Sequence, residues 1–241
     1  MQRAKLNREL SNYLLQGSIL EPLQFPKLSL LRTLYDDVIY RDIATRHRIE
    51  EVRALKELTF QLISNPASLI SFNKLKQQLG LGSVTTVKNY IQYLEDSWLL
   101  LTANVYDHSV KRQQIAPKKV YGIDTGLINA VGFHFSPNTG HLLENLVYLE
   151  LRRSTRHIYY YTTRSGYEVD IYLPEEKLLV QVSQDIANPE VYVREMRALR
   201  EAASEIKGTH GLLLATDGDV RNAHEEGQIE IRAVADWLIE N

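Results

Sequence analysis

The spacing of apolar residues changes from a helical to a strand-like pattern near Asp124. Before this residue, apolar side chains recur every three or four positions in 52–63 and in 84–94, which is typical of amphipathic helices. After it, residues 167–173 alternate like a strand, and residues 211–215 form a short, fully apolar run. These patterns predict that the 241-residue chain is an α/β protein, α+β overall. Its first part is helical, and its second part mixes helices and strands.

Composition excludes several classes of protein. The chain is 44% hydrophobic and 24% charged, which argues against a disordered or fibrous protein. It contains no cysteine, so disulfides, thiolate catalysis, zinc–thiolate sites and iron–sulfur clusters are excluded. No apolar run approaches the roughly 18 residues of a membrane span, and the first residues lack the apolar core of a signal peptide. We therefore expect a cytoplasmic protein without a membrane partner.

The net charge of −2 conceals two halves of opposite sign. Residues 1–124 hold 17 Lys and Arg against 12 Asp and Glu, a net charge of +5, and residues 125–241 hold 11 against 18, a net charge of −7. Only the first half has the sign expected of a phosphate binder. The alternative is an ordinary solvated surface without a nucleic-acid role.

Residues 51–124 follow the element order of a winged helix-turn-helix domain. The patterns predict helices over 51–63, 72–79 and 83–96, the last capped by Ser83, and then strands over 98–102 and 119–123 separated by a polar loop. The preceding residues 1–50 read as helical, with a Pro-bounded irregular stretch near 21–27.

The winged-helix order predicts two groups of residues that contact double-stranded DNA. The helix over 83–96 occupies the recognition position, and four charges surround the predicted wing. Side chains of these types bind phosphates or base edges, whereas the same fold also serves as a protein-docking module and the wing as a plain solvated loop. The candidates are Thr85, Thr86, Lys88 and Asn89 on the helix, and Lys111, Arg112, Lys118 and Lys119 on the wing.

A candidate metal site lies in the second part of the chain. If residues 174–177 form a four-residue hairpin connection, Asp170 faces Gln181 and Glu168 faces Ser183 on one polar face of the sheet. Glu144, in the preceding helix, is placed to bring a third oxygen ligand. Hard oxygen ligands of this kind suit Mg²⁺ or Mn²⁺.

The order of these elements resembles the PD-(D/E)XK nucleases of the restriction-endonuclease-like fold. In that pattern a helix carries Glu, the next strand carries Asp, and a further strand carries Glu or Gln two residues before a Lys. The whole chain is similar to the C-terminal region, a domain of unknown function, of prokaryotic AAA-type ATPases. The similar segments are 25–27, 40–43, 83–87, 119–121, 124–127, 143–145 and 168–170.

The chain departs from this family pattern at two points. The resemblance implies Glu144, Asp170 and Gln181 as catalytic and metal-site residues, but Ser183 stands at the usual lysine position and supplies no positive charge. Gln181 can still bind a metal through its amide oxygen, so that metal binding can survive where cleavage does not. The candidate replacement cations are Arg152, Arg153 and Arg194.

The second departure is the absence of a P-loop motif, so this chain has no ATP site of its own. Its partner would be an AAA-type P-loop ATPase domain in the same chain or in another. Asp124-Thr125-Gly126 is interpreted as a turn and not as an aspartic protease loop, because such proteases need two facing copies.

These observations lead to one functional prediction and two alternatives. We expect an accessory C-terminal region of an AAA-type ATPase, associated with DNA, with a nuclease-like domain that is catalytically impaired. The alternatives are an active metal-dependent DNA nuclease and a protein-interaction scaffold that does not bind nucleic acid. The predicted organisation is a helical segment over 1–50, a winged helix-turn-helix over 51–124, a linker over 125–139 and a PD-(D/E)XK nuclease-like domain over 140–241.

Overall fold

The structure is a computed structural model, and it describes residues 2–19, 28–133, 139–216, 220 and 224–240. It is 54% helix and 20% strand with a mixed sheet, which confirms the predicted α+β class. The predicted irregular stretch near 21–27 and the similar segment 25–27 lie outside the described residues. Residues 134–138 of the predicted linker over 125–139 also lie outside the described residues.

Contacts between residues divide the chain into two compact units. We call Asn12–Thr102 with Pro117–Asn145 the helical unit, and Met1–Ser11, Ala103–Ala116 and Leu146–Asn241 the sheet unit. Three elements therefore contribute residues to both units, namely the first helix, the second strand and the helix over 139–154. Each unit is described by itself below.

The helical unit is built mainly from amphipathic helices and a small sheet. Helix α2 continues beyond its α-helical part as a π-helical segment, Val38–Ala44, and a last turn, Thr45–His47. The strands follow the order β1, β3, β2, and β1 is antiparallel to β3. The elements of this part of the chain are α1 (Gln2–Gln16), α2 (Leu28–Asp37), α3 (Val52–Ile63), β1 (Ser68–Ile70), α4 (Phe72–Gln78), α5 (Val84–Asp96), β2 (Leu100–Val105), α6 (Val110–Ile115), β3 (Lys118–Gly122) and α7 (Thr125–Val131). Of these, α6, the first residues of α1 and the last residues of β2 belong to the sheet unit.

Helix α5 forms as its sequence predicts. The Ser83 hydroxyl accepts a hydrogen bond from the backbone N–H of Thr86 at 3.0 Å, which satisfies one of the donors at the helix start. Val87, Ile91 and Leu94 lie at helical spacing and are buried. The cap and the apolar stripe together fix both the beginning of α5 and the face that it buries.

The elements around the predicted wing differ from the prediction. Strand β2 begins at Leu100 instead of Trp98, because Trp98 adopts a left-handed conformation with φ of 53° and is 64% exposed. The segment expected to be a polar loop contains helix α6, capped by Ser109, whose hydroxyl accepts from the N–H of Arg112. Strand β1 had no counterpart among the predicted elements.

Asp124 begins helix α7 and also holds the end of the first helix. One carboxylate oxygen accepts from the N–H of Leu127 at 2.8 Å, and the other accepts from the N–H and hydroxyl of Ser18 at 2.5 and 3.1 Å. A Cβ on Gly126 would lie 2.0 Å from the carbonyl oxygen of Gln16, so only glycine allows this approach. Asp124-Thr125-Gly126 is thus a helix cap and a close-contact site.

The sheet unit carries a mixed sheet with the strand order β2, β4, β5, β6, β7, β9, β8. Strands β4, β5 and β6 are antiparallel neighbours, whereas β6, β7 and β9 run parallel. The elements are α8 (Thr139–Ser154), β4 (Tyr159–Thr162), β5 (Glu168–Leu173), β6 (Leu178–Ser183), α9 (Pro189–Glu205), β7 (His210–Ala215), β8 (His224–Glu226), β9 (Ile229–Ala233) and α10 (Val234–Glu240).

Helix α9 covers one face of this sheet. Asn188 caps its start, with Pro189 at the first helical position. Its buried Met196, Leu199 and Ala202 belong to one core cluster with residues of β5, β6, β7 and β9. This packing fixes the start of α9 beside strands β5 and β6, where the predicted carboxylate face lies.

Candidate functional site

The register between β5 and β6 is the one that the four-residue connection predicts. Ile171 pairs with Val180, Tyr172 with Leu179, and Leu173 with Leu178. The same register continued by one residue brings Asp170 beside Gln181. The predicted register of the hairpin is therefore confirmed at these three pairs. The next two residues, Asp170 and Gln181, are joined by a hydrogen bond to the Gln181 side chain.

Asp170 makes hydrogen bonds to two neighbouring residues of β6, Gln181 and Val182. The N–H of Asp170 donates to the amide oxygen of Gln181 at 3.3 Å, and the Asp170 carboxylate accepts from the N–H of Val182 at 2.9 Å. Both side chains are buried, at 8% and 6% exposure. Because buried polar groups must be paired, these bonds explain how the apolar environment tolerates them.

Glu195 of α9 is the third member of this cluster, and the sequence analysis missed it. Its carboxylate accepts a hydrogen bond from the Gln181 amide nitrogen at 2.6 Å and another from Arg194 Nε at 3.1 Å. Its residue exposure is 6%, whereas the Arg194 side chain is 64% exposed. A glutamate at a helical position that faces the apolar cluster was the only signal in the sequence.

The environment of Glu195 disfavours the charged carboxylate relative to a carboxyl group in water. Burial raises the pKa of this carboxyl, and the nearby negative charge of Asp170 raises it further. The hydrogen bonds from Arg194 and Gln181 oppose both effects without cancelling them. We call Asp170, Gln181 and Glu195 the acid–amide cluster: two nearby carboxyl groups, with an amide that joins the Asp170 backbone to the Glu195 carboxylate.

Ser183 and Glu168 lie on the same strands as the acid–amide cluster. Ser183 is buried at 6% exposure, and it pairs with Ala215 of β7. Glu168 lies opposite Thr162 of β4 and is half-buried. Ser183 therefore places a small neutral side chain in the interior, where the related pattern carries a lysine.

Glu144, the expected third metal ligand, lies in the helical unit and binds other partners there. Its carboxylate accepts from Lys119 Nζ at 2.8 Å and from the Tyr121 hydroxyl at 2.9 Å. The Lys119 side chain is 2% exposed and that of Glu144 is 8% exposed. We call Lys119, Tyr121 and Glu144 the buried ion pair, because a buried carboxylate and a buried ammonium neutralise each other.

This burial corrects the interpretation of Lys119 as a wing residue that contacts DNA phosphate. A phosphate contact needs an exposed ammonium group, whereas Lys119 lies in the interior and pairs with Glu144. Its strand position explains the difference, since neighbours on a strand point to opposite faces, and the preceding Lys118 is half-buried. Of the other wing candidates, Lys111 is exposed and Arg112 pairs with Asp107 at 3.2 Å.

The predicted recognition helix presents most of its candidate side chains to solvent. Thr85, Lys88 and Asn89 are exposed on α5. Thr86 is half-buried, and its hydroxyl lies 3.0 Å from that of Ser83 in the cap. The Lys88 ammonium lies 5.4 Å from the centre of the Phe72 ring, a cation–π distance that still leaves it at the surface.

The donor types of the acid–amide cluster match those that Mg²⁺ and Mn²⁺ prefer. Two carboxylates and one amide oxygen are hard ligands. Among the described residues, no group of three or more His, Cys, Asp and Glu side chains is arranged to hold a metal ion. Asp170 and Glu195 are two acidic side chains of the cluster, and the amide oxygen of Gln181 accepts a hydrogen bond from the N–H of Asp170. A cation would compete with Arg194 for Glu195.

Comparisons with known proteins identify two domains of unknown function. The DUF8612 model matches residues 8–138, and the DUF4143 model matches residues 139–233. DUF4143 is commonly associated with AAA-type ATPases. In the described part of the chain, no helix is long and apolar enough to cross a membrane.

Two uncharacterized proteins are similar to this chain. One, from Methanocaldococcus jannaschii, is 34% identical over 75% of this chain and 42% of its own length. The other, from Haemophilus influenzae, is 26% identical over 91% of this chain and 54% of its own length. The chain thus spans about half the length of these relatives. No solved structure matches it. Because the DUF8612 model covers more than half of the sequence, the chain belongs to the DUF8612 family of domains of unknown function.

Proposed function

We propose that this chain is an accessory region of an AAA-type ATPase, associated with DNA, and that its sheet unit is a nuclease-like domain with impaired catalysis. The common association of DUF4143 with AAA-type ATPases supports the first part. The lengths of the two relatives are compatible with it, because about half of each lies outside the aligned region. The ATPase domain would be supplied in the same chain or by another protein.

The topology of the sheet unit supports the nuclease-like assignment. From the end of α8 onward, the elements follow the order α8, β4, β5, β6, α9, β7. Three antiparallel strands, a helix and a fourth strand parallel to the third are the core arrangement implied by the resemblance to PD-(D/E)XK nucleases. The acidic residue of β5 and the amide of β6 stand at the positions where that pattern carries its metal ligands.

The acid–amide cluster is the observation that carries the proposal of impaired catalysis. Gln181 spans from the backbone of Asp170 to the carboxylate of Glu195, and neutral Ser183 replaces the expected lysine. Nuclease chemistry needs a group that activates or orients the attacking water. In this site Asp170, Gln181 and Glu195 would hold a cation, whereas Glu144 pairs with Lys119 in the helical unit. Mg²⁺ or Mn²⁺ would supply Lewis-acid chemistry when bound.

The test is DNA cleavage by the 241-residue chain and its Ser183→Lys variant, with Mg²⁺ or Mn²⁺ added. We expect the native chain to cleave at least about 100-fold more slowly than Ser183→Lys, since a positioned cation or base contributes roughly that factor. Asp170→Asn in the Ser183→Lys background should abolish the gain. Efficient cleavage by the native chain that is lost in Asp170→Asn would contradict impaired catalysis and favour an active nuclease.

The helical unit supplies a second candidate activity, which is binding of double-stranded DNA. The order α3, β1, α4, α5, β2, β3 and the strand order β1, β3, β2 resemble a winged helix domain, and α5 carries exposed Thr85, Lys88 and Asn89. Of the remaining wing candidates, Lys118 lies in this unit, whereas Lys111 and Arg112 lie in the sheet unit. The net charge of +5 over residues 1–124 is favourable for weak, sequence-tolerant binding.

The test is the salt dependence of duplex binding. Each phosphate contact contributes about −0.9 to the slope of log K against log salt concentration. Replacing Lys88, Lys111 and Lys118 together by Ala should flatten the slope by about two to three units, while Lys207→Ala in the sheet unit serves as a control. Equal binding by the triple variant and the control would favour the protein-interaction scaffold.

A further inference from the structure

A cavity in the helical unit opens beside the free edge of β1. It has a volume of about 210 Å³. It lies among the end of α3, the strand β1 and the helix α4. Its lining includes Leu62, Asn65, Leu69, Ile70, Lys74 and Gln78. None of the residues assigned to DNA, metal or catalysis lines it, so that it is a feature separate from the proposed function.

Strand β1 has a neighbour on one side only. It pairs with β3 through Ser68–Val120, Leu69–Lys119 and Ile70–Lys118, and within the described part of the chain no strand pairs with its other side. Alternate backbone groups of a strand point to opposite sides, so some N–H and C=O groups of β1 face outward. Such an edge is a template for a further strand.

The backbone at the start of β1 is held in an uncommon conformation. Ala67 has φ of 53°, and its N–H donates to the carbonyl oxygen of Val120 at 2.7 Å. A left-handed conformation is uncommon for a residue with a Cβ. In the strand that follows, Leu69 is 45% exposed although it is apolar.

The chemistry of the lining indicates what would bind there. Leu62, Ile70 and Leu75 give buried apolar contact, and the hydrogen-bonded pair Gln61 and Gln78 provides amide groups at the rim. Lys74 is exposed and is the one charged residue among the lining residues described. An apolar floor, amide groups, an open strand edge and a positive charge suit an extended acidic peptide better than a duplex, which needs many exposed cations.

We infer that β1 and this cavity form a binding site for an extended peptide segment that adds a strand to β1. An apolar side chain of the peptide enters the cavity, and an acidic side chain next to it pairs with Lys74. Main-chain hydrogen bonds to the outward groups of Ser68–Ile70 supply the affinity, while the cavity and the lysine supply the specificity.

The experiment titrates the full chain with a labelled seven-residue peptide, Glu-Glu-Val-Thr-Val-Glu-Glu, with blocked ends. Fluorescence polarisation measures the affinity, and amide NMR shifts locate the site. Two control peptides replace every Glu by Lys or the central Thr by Pro, which removes a backbone donor. Lys74→Glu tests the cation, and Lys207→Glu in the sheet unit matches its change in net charge.

We expect saturable binding of the acidic peptide, with shifts confined to residues 67–75 and 78. Lys74→Glu, the lysine peptide and the proline peptide should each weaken binding by about tenfold or more, and Lys207→Glu should leave it unchanged. Absence of binding at about 1 mM peptide would overturn the inference. Equal losses of peptide affinity in Lys74→Glu and Lys207→Glu would also overturn it. So would NMR shifts that appear only at α5 and only with duplex DNA, or self-association of the chain through β1.

Discussion

The buried ion pair of the helical unit and the acid–amide cluster of the sheet unit stabilise buried carboxyl groups in different ways. Both bury a carboxylate that the sequence predicted as a metal ligand. In the helical unit, Glu144 accepts a charge-assisted bond from the buried ammonium of Lys119, so that the interior holds a neutral pair. In the sheet unit, Asp170 and Glu195 lie close enough to repel, and neutral Gln181 joins them.

This difference separates a structural group from a candidate functional one. A buried carboxylate with its own buried cation has little need for a further ligand, because its charge is already compensated. Glu195 instead lies beside a second buried carboxyl group, and both burial and the charge of Asp170 raise the pKa of Glu195, so that a nearby positive charge would be favourable there. Each prediction below would strengthen or remove this distinction.

The largest effect is expected from removing the buried cation. Lys119→Met leaves the Glu144 carboxylate in the interior without its ammonium partner, and we expect a loss of about 3–5 kcal/mol in the free energy of unfolding. Urea denaturation measures the loss. The double variant Lys119→Met with Glu144→Gln should recover most of it, and Lys118→Met, at the half-buried neighbouring position, should change stability by less than about 0.5 kcal/mol.

If the Lys119→Met variant were as stable as the Lys118→Met control, the ion pair would not be the structural group described here. Failure of the double variant to recover stability would show that the Lys119 side chain matters through its packing and not through its charge.

A smaller effect is expected from removing the amide bridge. Gln181→Ala deletes a hydrogen-bond acceptor for Asp170 N–H and a donor for Glu195, and we expect a loss of about 1–3 kcal/mol. Gln184→Ala, an exposed change close by on the chain, is the matched control. Urea denaturation of both variants at pH 7 makes the comparison, and equal stabilities would show that the bridge contributes nothing measurable.

The smallest effect concerns the pH dependence of stability. Because the folded-state pKa of Glu195 is raised above its unfolded value, its contribution favours folding at low pH and is lost as the pH rises through the folded pKa. Glu195→Gln cannot titrate, so relative to the native chain it should gain stability as the pH rises from acidic to neutral. We expect a relative gain below about 1 kcal/mol.

Thermal unfolding at several pH values measures this difference. A constant offset between Glu195→Gln and the native chain across the acidic range would contradict the raised pKa. Glu201→Gln is a useful contrast, because hydrogen bonds from Ser165 lower the pKa of that exposed carboxyl, and its pH dependence should have the opposite sign.

The local features of the fold were predictable from the sequence where one short-range rule decides the outcome. The Ser83 cap follows from a hydroxyl before an apolar stripe, and the register of β5 on β6 follows from the length of the 174–177 connection.

The features that the sequence did not predict depend on contacts between distant segments. In the sequence, Lys119 resembles a wing lysine. In the structure its side chain is buried and pairs with Glu144, which lies 25 positions later in the chain. In the sequence, Glu195 is an ordinary helical glutamate. Its role depends on the hydrogen bond that it accepts from Gln181 of β6. Strand β1 has three residues and a left-handed Ala67, so it leaves no periodic signal in the sequence.

The central proposal is that a cation would bind at the acid–amide cluster and not at the buried ion pair. Calorimetric titration with Mn²⁺ at neutral pH tests it most directly, with the native chain, Asp170→Asn, Glu195→Gln and the double variant Lys119→Met with Glu144→Gln. The account predicts one weak site in the native chain, at least about tenfold weaker binding in Asp170→Asn and Glu195→Gln, and unchanged binding in the double variant. Mn²⁺ binding that survives Asp170→Asn, or that disappears in the stably folded double variant, would contradict it.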